Sequence, residues 1–168
     1  MKKTVFVVAT VLSISTAAVA QTTAVTPPPP ARGPSLELAI EAARTAVETC
    51  TVKDQKIAVS VVDAAGVPKV VLAADGASAR GVQSGANKAA TALAFKTATS
   101  QLAETIKTDK ELADKVAANT NYAARAGGVL IRVNNEIIGA VGVGGARGSE
   151  KDEECAIAGI QKIQGRLL

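Results

Sequence analysis

Two periodicities divide the chain after residue 34. Between Ser35 and about Thr49 apolar residues recur at helical spacing, with Leu36, Ile40, Ala43 and Val47 on one face and Ser35 placed as the N-cap. Residues 56–63 (KIAVSVVD) are β-branched and roughly alternating. Residues 67–74 repeat that pattern beyond Ala64-Ala65-Gly66, so the two predict a hairpin, with Asp63 and Asp75 as turn residues at its ends. An alanine-rich helix is expected from about Arg80 to Ala98, carrying Leu93 and Phe95 inward. Thr99 or Ser100 can cap a further helical turn through Ile106, and Thr108 or Asp109 a third piece ending near Ala118. Residues 119–126, which include Tyr122, read as a loop. A second hairpin follows from 127–133 and 136–143 across Asn134-Asn135, a pair that tolerates positive φ. The glycine-rich run 144–148 leads into a last helix that Ser149 can cap and whose start suits Glu150, Asp152 and Glu153. The order α-ββ-α(αα)-ββ-α predicts an α+β domain, an antiparallel sheet of four or five strands flanked by helices. Laying the first and last helices side by side would bring Cys50 and Cys155 together.

The beginning of the chain follows different rules. Lys2 and Lys3 precede an apolar core from Val5 to Ile14, and Ala18-Val19-Ala20 supplies a small-x-small cleavage pattern. Residues 1–20 therefore read as a signal peptide cut before Gln21, which places the mature protein in the periplasm or outside the cell. Residues 21–34 (QTTAVTPPPPARGP) read as a polyproline-type linker, leaving 35–168 as the folded domain. Loss of Lys2 and Lys3 lowers the formal net charge of +4 by two. With the remaining cations scattered and aromatics at 2%, nucleic-acid binding has little support. No later segment predicts a membrane span. In an oxidising compartment the two cysteines are expected to form a disulfide, two buried free thiols being the alternative.

Composition narrows the chemistry further. The chain has no His, which excludes an imidazole base, a His-ligated metal and a Ser-His-Asp triad. No metal site is expected. Gly142-Val143-Gly144 opens a GxGxxG-like run, but Arg147 stands at the third glycine and the strands belong to hairpins, so dinucleotide binding is disfavoured. Two readings of this run remain: an anion held by the amides of Gly144 and Gly145 with Arg147, or glycines that permit close backbone packing. No two carboxylates can be assigned acid and base roles from spacing.

Several segments together resemble the GlcG/HbpS family, also seen as the C-terminal part of PduO-type proteins. They are Val59–Gly76 (VSVVDAAGVPKVVLAADG), Lys88-Ala89 with Thr91-Ala92, 98–103 (ATSQLA), 127–148 (GGVLIRVNNEIIGAVGVGGARG) and 152–159 (DEECAIAG). In many relatives a Pro stands where this chain has Leu130. The resemblance implies a profilin-like sheet flanked by helices, a homo-oligomer and, for exported members, haem binding. It also supports the Cys50–Cys155 bridge. Thr99 matches the threonine that haem-binding relatives offer in a Thr-Ser-x-Leu-Ala segment, with helix capping as the alternative role. Tyr122 is the remaining conventional iron ligand, and Lys88, Lys96 or Arg125 could meet the propionates. Lys88, Thr91, Phe95, Thr99 and the loop before Gly127 are then the expected walls of a haem cleft between helices or at a subunit interface. A second functional expectation is an enzyme or accessory factor for a small hydroxy or carboxylic acid, using Arg147, the glycine-turn amides and Asp63. A third is a structural part in a cell-surface assembly.

Overall fold

The structure, a computed structural model, describes residues 31–168, so the signal-peptide reading of 1–20 and most of the 21–34 linker lie outside the described residues. Ser35 accepts a hydrogen bond from the Leu38 amide (3.3 Å) and starts α1 (Leu36–Thr51). There follow β1 (Ala58–Asp63), β2 (Pro68–Ala73), α2 (Ala79–Phe95), α3 (Thr99–Thr105), α4 (Lys110–Ala117), β3 (Gly128–Val133), β4 (Glu136–Gly144) and α5 (Ser149–Ile163). This is the expected order. The strands form one four-stranded antiparallel sheet, β2-β1-β4-β3. Asp63 closes the first hairpin by accepting the amides of Ala65 (2.9 Å) and Val67 (3.0 Å), and Asn134 turns the second with a φ of 53°.

Helices cover both faces of the sheet. α1 and α5 lie over Val59, Val61, Ile138, Val141 and Val143, while α2 crosses β1, β4 and β3 on the opposite side. The central strands β1 and β4 are thus buried on both faces, which explains their nearly unbroken apolar sequences.

The face of α1 departs from the sequence expectation. Its buried residues are Ala39, Ala42, Ala43, Ala46 and Cys50, whereas Leu36 is 56% and Ile40 39% exposed. The cause is the closeness of α5, which sets Gly159 directly against Ala42 and Ala46. Only small side chains fit between helices at that distance. On the other face α2 presents Gly81, Gly85, Ala89 and Ala92 to Gly144, Gly142 and Ala140 of β4. A Cβ on Gly144 would lie 2.6 Å from the Gly81 carbonyl and 2.7 Å from the Gly85 amide. Gly142 and Gly144 therefore serve close packing, the second of the two readings of the glycine run. Leu93 packs at the margin of this small-residue contact rather than at its centre.

Cys50 in α1 and Cys155 in α5 are bonded, with Cα atoms 5.8 Å apart and both residues fully buried. The bridge closes a loop with a sequence separation of 105 and thereby restricts the unfolded chain. Replacing both residues (Cys50→Ala with Cys155→Ala) is expected to lower stability by about 2–4 kcal/mol, read from urea unfolding midpoints. Because the sulphurs are buried, dithiothreitol added to the folded protein should react at the rate of global unfolding.

Candidate functional site

Lys88 is the one charged residue among the buried residues of α2. Its side chain is 2% exposed, and Nζ donates to the Val143 carbonyl (2.9 Å) and to Asp152 Oδ2 (2.6 Å). Asp152, in the first turn of α5, accepts the Ala146 amide at Oδ1 (2.9 Å). The pair joins α2 on one face of the sheet to α5 on the other, across the end of β4. Gly127 leaves the passage open: it has a φ of +122°, and a Cβ there would lie 2.9 Å from Lys88 Nζ and 2.8 Å from Asp152 Cβ. Burial pulls the Lys88 pKa below its ordinary value and pushes that of Asp152 above its own, against the opposing effect of their hydrogen bond. Lys88 is therefore an internal tie, and Asp152 already compensates the charge expected to meet a propionate.

The segment between α4 and β3 is fixed by side chains from three helices. Thr91 on α2 accepts the Ala123 amide (2.7 Å), and Asn87 donates to the Thr120 carbonyl (3.3 Å). Thr99 donates its hydroxyl to the Arg125 carbonyl (2.6 Å) and accepts the Gly128 amide (2.8 Å). Glu153 of α5 accepts the Gly127 amide (3.1 Å) and the Ser100 hydroxyl (2.7 Å). Phe95 and Tyr122 meet edge to face at 5.2 Å. The expected cleft walls Lys88, Thr91, Phe95, Thr99 and Tyr122 are thus brought together, but around a packed loop. Neither threonine opens onto a cavity, and neither acts as a cap. Ala98 is the N-cap of α3 and Thr99 its first residue, because the Thr99 side chain faces the loop backbone. Ser149 likewise follows a side-chain-free N-cap, Gly148, instead of capping α5 itself.

Two clefts adjoin this cluster, one on each side of Arg125. The larger, about 500 Å³, lies between α3, the loop and α5 and is lined by Ser100, Gln101, Glu104, Arg125, Ser149 and Glu150 among others. The smaller, about 360 Å³, lies between α2 and the turn into α5, with Arg80, Ser84, Lys88, Arg125, Gly145 and Asp152 on its walls. Arg125 is exposed and, among the described residues, pairs with no carboxylate. Of the three expected anion-binding residues, two share a depression and the third is buried apart from them. Gly145 lines the smaller cleft and also, with Arg147, a second depression beside Lys56, whereas Gly144 is packed under α2. Asp63 lies at the far end of the sheet from Gly144, since β1 pairs Ala58 with Gly144 and Asp63 with Gly139. Asp63 is therefore not assembled with Arg147 and the glycine turn.

Sequence reasoning missed Asp152, Glu153 and Arg80 as site residues. A usable signal did exist for Lys88: it follows Gly81 and Gly85 and precedes Ala92 at helical spacing, a cation on a face of small residues. Nothing local named its partner. Breaking the pair at one end leaves a buried charge, so Lys88→Met or Asp152→Leu alone should each cost about 3–5 kcal/mol. The double variant is expected to recover most of that loss in denaturant unfolding.

Residues 35–161 match the family described as haem-degrading protein, HbpS-like. No curated protein matches the chain. Among solved structures, a double mutant of HbpS from Streptomyces reticuli is 30% identical, with 88% of this chain and 97% of that one covered at a TM-score of 0.72. The PduOC chain in a haem complex is 26% identical, covering 78% of this chain and 95% of that one at a TM-score of 0.72. The ORFY protein of Klebsiella pneumoniae, 22% identical, shares the fold at a TM-score of 0.74 over 87% of this chain and 100% of its own. With TM-scores of 0.72 to HbpS and PduOC and a family match that spans nearly all of the folded domain, this chain belongs to the HbpS-like family.

Proposed function

We propose that the protein is exported and binds haem exchangeably, in the manner of a sequestering or transporting protein. Its principal support is the match of residues 35–161 to an HbpS-like family described as haem-degrading, joined by the likeness to a chain crystallised with haem. Haem makes two demands on a protein, cations for its propionates and a donor for its iron. Arg125, exposed beside a cleft of about 500 Å³, answers the first. The second is not met by the described residues. His is absent, Met1 lies outside them, Cys50 and Cys155 are bridged, the Thr99 hydroxyl holds the loop backbone, and Tyr122, edge to face with Phe95, lines neither cleft beside Arg125. The donor set thus fits a porphyrin's carboxylates and does not fit a protein–iron bond, and no chemistry at iron is assigned to this chain.

Export rests on residues 1–20 and agrees with a buried disulfide. The exposed Leu36 and Ile40, one turn apart on α1, support a homo-oligomer.

Haemin titrated into the purified protein is expected to give a saturable Soret shift. Arg125→Gln should weaken binding about tenfold, while Tyr122→Phe should change it less than about twofold. No spectral change at micromolar haemin would overturn the proposal. Cell fractionation followed by N-terminal sequencing should find a mature chain that starts at Gln21. Recovery of the intact leader in the cytosol would contradict export.

A further inference from the structure

The smaller cleft carries a charge pattern that haem recognition leaves unexplained. Its volume is about 360 Å³, at the lower end of small-molecule sites. Arg80 approaches it from α2 and Arg125 from the loop, and among the described residues neither forms a salt bridge. Lys88 lies at its inner wall, almost fully buried. Asp152 cancels the charge of Lys88, so the two guanidinium groups are the uncompensated charges of the lining. The Lys88 ammonium has three N–H donors, and only two have acceptors among the described residues, Val143 and Asp152. Lys88 thus keeps one N–H beyond its two hydrogen bonds and lines the cleft wall. Ser84 and Ser149 add hydroxyls on opposite walls. Gly148, the N-cap of α5, offers no side chain to the first turn, although its carbonyl accepts the Lys151 amide (3.2 Å).

We propose that this cleft binds a compact dianion, either phosphate or a short dicarboxylate. Two arginines on separate elements match two negative charges better than one, and Ser84 and Ser149 add donors on the same lining. The anion expected from the glycine run is thereby assigned to Arg80 and Arg125 in place of Arg147. Arg125 and Ser149 line both clefts, so Arg80, absent from the larger one, is the residue that distinguishes this site from the proposed haem site.

Isothermal titration of the purified protein with phosphate and with malonate, at constant ionic strength, tests the site. At least one of them should bind saturably at one equivalent per chain, and acetate should bind at least about tenfold more weakly. Phosphate alone or malonate alone would support the site and identify the geometry it selects. Arg80→Gln should weaken dianion binding about tenfold and leave the haemin titration unchanged, whereas Arg147→Gln should alter neither by more than about twofold. Arg80 is exposed, so its variant should keep the wild-type circular dichroism spectrum. Absence of saturable heat with both dianions would overturn the proposal. So would equal weakening by Arg80→Gln and Arg147→Gln, which would indicate only a general positive field.

Discussion

Lys88 can reach Asp152 only because α2 lies almost on the backbone of β4. Gly81, Gly85 and Ala89 meet Gly142 and Gly144 with no side chain between them, which lowers the helix axis toward the sheet. From that depth a lysine side chain can pass the end of β4, beside Gly127, and form an ion pair with a helix packed on the opposite face. The ion pair is costly to bury, as both pKa directions indicate, and hydrogen bonds from Ala146 and to Val143 offset part of that cost. The closely packed layer and the buried pair therefore form one arrangement. A larger residue at Gly142 or Gly144 would raise α2 and separate the charges.

The same end of the sheet organises the loop before β3. Thr91, Thr99 and Glu153 give their polar atoms to its backbone amides and carbonyls, so the segment from residue 119 to 127 is held in one shape without regular secondary structure. A hydroxyl that stabilises a loop in this way is not open to a ligand. The loop's fixed position instead sets Arg125 outward between two clefts, where its charge has no internal partner among the described residues. The polar residues that hold the loop thus face inward while Arg125 faces outward, only a few positions apart.

Membership of the HbpS-like family defines the fold and suggests the guest, while the particular residues define how a guest is held. Without imidazole or a free thiol, the contacts proposed for a guest of this chain are guanidinium groups, backbone amides and hydroxyls. Such contacts favour exchange over permanent retention, because each is partly solvated and none is a coordinate bond. A cleft for a compact dianion next to one for a porphyrin carboxylate uses the same chemistry at two sizes, with Arg125 on the border of both.

Local sequence was enough for much of the architecture. Alternating β-branched residues, Asn134-Asn135 and the Asp63 turn specified two hairpins, and Ser35 and Asp109 marked helix starts, because turns and caps depend on neighbours only a few positions away. The pairing of Cys50 with Cys155 followed from placing the first and last helices side by side. Three things were decided by tertiary contact. The buried face of α1 turned toward its alanines because α5 approaches too closely for Leu36 or Ile40. Thr99 and Ser149, plausible caps by position, face a distant loop and a cleft. Asp152 became the partner of Lys88, 64 positions earlier in the chain. The sequence alone determined which segments are helix, strand or turn, since those preferences are local; only the folded structure determined which charges are neutralised internally and which remain for a ligand, since that depends on distances between segments that no local pattern records.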